Sequence, residues 1–191
     1  MREFDVAVVG ARCAGAPLAA KIARRGLSVC LLDKAEFPSE TLSTHVIQPA
    51  GVAVLERLGA LAPVLAAGAV QLDRFTFVAE DARIDTTIDE VAFGNPAVCI
   101  RRIALDHLLV EAAAQAGVEV RTGTRVTGLL REGGRVVGVE TAGDSLRARL
   151  VVGADGRGST VAELAGAREY YVAPPGRVFA WAYFEGSAET E

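Results

Sequence analysis

The chain has 191 residues, 51% of them hydrophobic, enough to bury the core of one sizeable domain or one and a half. Twenty basic against 24 acidic residues give a formal charge of -4 with no basic stripe, which argues against a nucleic-acid or anionic-membrane surface and leaves small-molecule partners open. No apolar run of about 18 residues could span a bilayer; the first strand begins too close to Met1 for a signal peptide, so the expected location is cytoplasmic.

Phe4 to Val9 is an apolar, β-branched run of the kind that forms a buried parallel strand, and it leads directly into Gly10-Ala11-Arg12-Cys13-Ala14-Gly15. An Ala/Leu/Ile-rich helix should follow from Gly15 to Arg25, stopped by Gly26. A second apolar strand, Ser28 to Leu32, ends on Asp33, 18 positions after Gly15 and close to where a dinucleotide βαβ unit carries its ribose-binding acid. Each residue type has a physical reason. Gly10 permits the tight turn, Gly15 permits close packing of helix on sheet, and the helix N-terminus offers N–H groups and a positive dipole end to a pyrophosphate. Arg12 departs from the pattern, standing where the middle glycine lets backbone approach phosphate; it either crowds the diphosphate or turns outward and adds charge. A plain βαβ crossover with a glycine-rich turn is the non-functional alternative.

Lys34 to His45 is polar, with one proline and several hydroxyls, and is long for a connection. This places His45 either near a cofactor or in a turn-capping role. A helix is expected over Pro49 to Gly59 and a short one over Pro63 to Ala67. From Leu72 to Ile88 the chain alternates like antiparallel strands, Arg74–Val78 and Arg83–Ile88, which suggests an insertion starting a second layer. Val98–Ile100 delivers Arg101 and Arg102 to a helix whose Leu105, Leu108, Leu109, Ala112, Ala113 and Ala116 share one face, with Asp106, Glu111 and Gln115 expected outward. An arginine at a helix start opposes the dipole, so Arg102 calls for a compensating anion, either a phosphate or a surface ion-pair partner.

Val118–Val120 reads as a strand continuing into Arg125–Arg131. Gly133-Gly134 then turns the chain into Arg135–Thr141, and Leu146–Arg149 completes a meander. A separate strand, Leu150–Val152, opens into Gly153-Ala154-Asp155-Gly156-Arg157-Gly158-Ser159 and a helix to about Ala165 with Ser159 as N-cap. Asp155 can serve a cofactor or simply its own turn. Arg177 to Glu185 alternates like a further strand. Cys13, Cys30 and Cys99 lack metal-ligand spacing and suggest free, mostly buried thiols, Cys13 packing as a small residue.

Three stretches in order, Asp5–Gly15 with Asp33, Arg102–Asp106, and Gly153–Ser159, resemble the FAD-dependent monooxygenases of the aromatic-hydroxylase type and the related geranylgeranyl reductase-like flavoproteins. The resemblance implies an α/β fold, a Rossmann-like FAD-binding domain with a parallel sheet and β-meander crossover, and the beginning of an antiparallel substrate-domain sheet. On that basis residues 1–71 and 97–168 form the FAD-binding domain, and 72–96 and 169–191 belong to a substrate-binding part. The implied cofactor-binding positions are Gly10, Ala11, Arg12, Ala14, Gly15, Asp33, Lys34, His45, Arg102, Val126, whose backbone would meet adenine, Asp155 and Gly156, with Arg101 an uncertain neighbour. The implied chemistry is reduction of FAD by NAD(P)H and reaction with oxygen to a hydroperoxide that hydroxylates or epoxidises an organic substrate; no catalytic side chain or metal is required. The alternatives are a geranylgeranyl reductase-like flavin reductase, an NAD-binding dehydrogenase half, and a non-catalytic nucleotide-binding module. A later Gly-Asp stretch of the family has no match here, so the chain is expected to be the N-terminal part of a longer enzyme.

Overall fold

The computed structural model describes residues 3–87, 96–173 and 176. Its centre is a six-stranded sheet in the order β8-β2-β1-β11-β10-β9, formed by β1 (Glu3–Val9), β2 (Val29–Leu32), β8 (Glu119–Arg121), β9 (Val126–Glu132), β10 (Arg135–Thr141) and β11 (Ser145–Gly153). β1 runs parallel to both β2 and β11, and β2 runs parallel to β8. The run of apolar residues in β1 follows from having both faces covered. Val6 and Val8 pack with Leu31 toward α1 (Gly15–Ala23) and α4 (Arg102–Gln115), whereas Ala7 and Val9 join Cys30 and Leu32 on the opposite face.

α2 (Pro49–Leu58) and α3 (Leu61–Ala66) complete the helical layer through Val52, Leu55, Leu58 and Val64. Gly59 closes α2 with φ 69° in the left-handed region, which supports its reading as a terminator. On the other face α5 (Thr160–Ala165) brings Val161 against Val126, Val139 and Leu146 of β9, β10 and β11 in the second core.

Two boundaries differ from the sequence expectations. Leu146–Arg149 and Leu150–Val152 are one continuous strand, because β1 pairs along β11 from Glu3 opposite Arg147 to Val9 opposite Gly153 while β10 pairs only with its first part. β8 does not continue into β9: the chain leaves β8 at one edge of the sheet and re-enters as β9 at the other. Local alternation carries no information about which edge a strand joins.

The stretch 72–87 is antiparallel as expected, with β5 (Arg74–Ala79) pairing β6 (Ala82–Thr87). The short strands β3 (Val46–Ile47) and β4 (Val70–Leu72) flank β7 (Ala97–Cys99) in a three-stranded antiparallel sheet. At two and three residues, β3 and β4 are too brief for periodicity to reveal. Ile88 and the alternating stretch Arg177–Glu185 lie outside the described residues.

Candidate functional site

The C-terminal ends of β1 and β11 lie side by side, and a cavity of about 300 Å³ opens where their turns separate. Such crevices beyond the carboxyl ends of parallel strands are where open α/β sheets bind ligands. Gly10, Arg12, Ala14, Asp33, Lys34, Arg102, Val126, Asp155 and Gly156 all line it. Residues more than 140 positions apart in sequence are thereby brought to one wall-to-wall space.

The first turn is sterically exact at two glycines. Gly10 has φ 102°, and a Cβ there would strike the carbonyl of Ala154; a Cβ on Gly15 would strike the carbonyl oxygen of Gly10. Gly15 is buried beneath the turn and acts through packing, not as a cavity wall. Ala11, wholly buried, donates its backbone N–H to Asp33 Oδ2 at 2.7 Å. The other oxygen of Asp33 accepts from Ala35 N at 2.8 Å. Asp33 is only 8% exposed, yet it lines the cavity with acceptor capacity beyond these two bonds. Ala14 is the N-cap of α1; it provides no side-chain cap, and the first turn holds no acidic residue, so the positive end of the helix is not neutralised locally.

Arg12 is held at the cavity wall by three neighbours. Its Nη1 donates to Asp106 Oδ2 at 2.6 Å, its Nη2 donates to Ser39 Oγ at 2.9 Å, and its guanidinium lies 5.3 Å from the centre of the Phe37 ring. Arg102 donates to the same carboxylate through Nε at 2.9 Å and Nη2 at 3.0 Å. Asp106 is therefore not on the outward face of α4: it is completely buried. The anion that pairs with Arg102 in this structure is this buried carboxylate on its own helix, and not a surface partner. The i, i+4 spacing of Arg102 and Asp106 was the available signal. The contribution of Arg12 depends on tertiary packing of α1 against α4.

Cys13 is exposed as a residue, contrary to the expectation of a buried thiol, but its Sγ reaches Asp106 Oδ1 at 3.4 Å. Loss of solvent around the sulfur, reinforced by the Asp106 charge and partly offset by Arg102, pushes the thiol up to about 11.

At the far wall, Val126 heads β9 beside Thr124 and Arg125, which the sequence reading did not select. Asp155 follows β11 and tethers the start of α5: Ser159 Oγ donates to its Oδ1 at 2.6 Å and Val161 N donates to its Oδ2 at 3.1 Å. Ser159 is the N-cap, accepting from Ala162 N at 3.0 Å. Gly156 turns the chain with φ 88°.

His45 does not line this cavity. It adopts φ 64° and accepts the backbone N–H of Arg102 on Nδ1 at 3.3 Å, beside a second hollow of about 210 Å³ that it shares with Arg101, Arg102 and Glu40. Arg101 pairs there with Glu40 at 2.8 Å.

Comparison with known proteins gives this geometry a context. The family description "FAD binding domain" matches residues 3–180. A 6-methylpretetramide 4-monooxygenase of Streptomyces rimosus is 36% identical over 170 residues, covering 85% of this chain and 40% of that protein. A digeranylgeranylglycerophospholipid reductase 1 of Methanococcoides burtonii is 32% identical over 168 residues, covering 86% and 40%. Among solved structures, PqsL of Pseudomonas aeruginosa, described as a probable FAD-dependent monooxygenase, superposes with a TM-score of 0.77 at 25% identity, covering 91% of this chain and 48% of that one. The chain thus spans about two fifths of the length of these two relatives.

Proposed function

The chain belongs to the FAD binding domain family, and we propose that the full-length protein is an FAD-dependent monooxygenase that takes electrons from NAD(P)H and oxygenates a small organic substrate. The observation that carries this reading is the convergence of Gly10, Asp33, Val126 and Asp155 on one cavity at the ends of β1 and β11. The residues present fit the adenosine diphosphate half of FAD. The α1 N-terminus carries no first-turn acid, Asp33 keeps acceptor capacity for ribose hydroxyls, and the two arginines at the wall outnumber their shared carboxylate.

In this assignment the turn from Gly10 to Ala14 and the start of α1 hold the diphosphate, with Gly15 setting the helix position. Asp33 and Lys34 take the adenosine ribose, the Val126 backbone meets adenine, and Arg102, Asp155 and Gly156 bound the rest of the path. His45 acts through its hydrogen bond to the Arg102 backbone. The FAD-binding domain comprises 1–71 and 97–168, and 72–96 with 169–191 contribute to the substrate-binding part. FAD, when bound, supplies the electron transfer and the activation of oxygen. In the same reading NAD(P)H docks transiently near Asp155 and Arg102, both of which line the cavity.

The relative named as a digeranylgeranylglycerophospholipid reductase supports a second reading, reduction of an isoprenoid double bond. Turnover of the full-length protein with NAD(P)H and candidate substrates under labelled oxygen separates the two. One labelled atom in the product supports the monooxygenase. Substrate reduction that proceeds equally without oxygen overturns it in favour of the reductase.

A further inference from the structure

Asp106 is a charged side chain with no accessible surface, a placement that is costly unless every charge and lone pair is matched. Its carboxylate accepts from Arg12 Nη1, Arg102 Nε and Nη2, and Cys13 Sγ. Arg12 and Arg102 line the cavity with side chains 27% and 18% exposed, while Asp106 lies behind them and does not reach it. The three charges leave one net positive charge at the wall where the uncapped α1 N-terminus also ends. Without the carboxylate, two guanidinium groups held this close would repel.

We propose that Asp106 is a positioning residue for diphosphate recognition: it clamps Arg12 and Arg102 side by side, so that this turn meets a diphosphate with fixed guanidinium donors where a glycine at position 12 would offer bare backbone. The proposal rests on the reading of the cavity as the FAD site. Three further features favour it. Asp106 occupies Nε and Nη2 of Arg102, leaving donors on Nη1 for a ligand. Ser39 and Phe37 grip Arg12 from the 34–45 loop, so its guanidinium is anchored on two sides. The planar fork of arginine matches phosphate oxygens better than a point charge does.

The test uses the full-length protein stripped of flavin, titrated calorimetrically with ADP and with adenosine. The wild type should bind ADP more tightly than adenosine; binding of neither would overturn the reading of the cavity itself, and with it the proposal. Asp106→Asn should weaken ADP by roughly tenfold or more and change adenosine by less than about twofold. Arg12→Gln, a change at a partly exposed side chain, should give the same selective loss, and should add little when combined with Asp106→Asn, because the Asp106 change already frees the Arg12 guanidinium that Arg12→Gln removes. Unchanged ADP affinity in both single variants, or equal weakening of ADP and adenosine, overturns the positioning role while leaving the cavity reading standing.

Discussion

Ala11 and Asp33, 22 positions apart, are joined by a buried hydrogen bond in which the Ala11 N–H donates to Asp33 Oδ2 at 2.7 Å. The bond ties the turn after β1 to the end of β2, and the Ala35 N–H on the other oxygen extends the tie into the following loop. The residue proposed to hold the ribose is thus also a brace for the turn proposed to hold the diphosphate.

Asp33→Ala therefore removes two functions at once. FAD affinity should fall by about 1 to 3 kcal/mol, as expected when a charged acceptor is lost from hydroxyl groups in a buried site. Stability without ligand should also fall by about 1 to 3 kcal/mol, since Ala11 N–H is left buried and unpaired. Flavin fluorescence titration and urea unfolding check the two effects separately. An unchanged FAD dissociation constant would move the ribose contact elsewhere, with Glu36 the first candidate.

The steric argument at the turn makes a sharper claim. Gly15→Ala places a methyl group against the Gly10 carbonyl oxygen, which is backbone and cannot swing aside. Destabilisation of about 3 kcal/mol or more is expected, at the upper end of overpacking costs. Gly158→Ala is the control, because a Cβ there meets nothing within 4 Å. Equal unfolding midpoints for the two variants in urea would show that the turn relaxes.

The α5 cap can be tested in isolation from the cavity's charge. Ser159→Ala deletes the acceptor for Ala162 N and the donor to Asp155. The expected cost is about 1 kcal/mol, typical of a lost N-cap. Thermal unfolding reads the stability. If Ser159 also fixes the Asp155 carboxylate for a cofactor role, FAD affinity falls in parallel; a stability loss with unchanged FAD affinity would confine Asp155 to capping.

Much of the cavity was legible because its residues sit at fixed offsets within short motifs. Gly10, Gly15 and Asp33 follow from one βαβ unit, and the Asp155 turn follows from a strand feeding a capped helix. What escaped was tertiary. Asp106 sits beside Leu105 and Leu109, and a hydrophobic count alone sends a charged residue outward; its burial is balanced by Arg102 together with Arg12, which arrives from the turn before α1. Arg102 was correctly read as needing an anion, but the anion lay four residues along the same helix. His45 was drawn toward the cofactor by its loop, whereas its Nδ1 serves the Arg102 backbone outside the cavity. The single long β11 was split in two because its halves face different neighbours and so alternate differently.

Cys13 supplies the last prediction, one in pH. Its sulfur lies against the buried Asp106 carboxylate, and desolvation together with that negative charge raises the thiol from 9.0 to about 11. Only the thiolate reacts with iodoacetamide, so about one molecule in ten thousand is reactive at pH 7. The Cys13-dependent alkylation rate, taken as the difference between wild type and Cys13→Ser, should be very slow at neutral pH and climb until about pH 11. The stability sign follows from the same shift. Between pH 9 and 11 the folded state holds this proton while the unfolded chain has released it, so stability falls as pH rises through that window. Asp106→Asn removes the neighbouring negative charge and should bring the alkylation midpoint down. A rate that levels off below pH 9 in the wild type would mean that the thiol faces Arg102 more closely than Asp106.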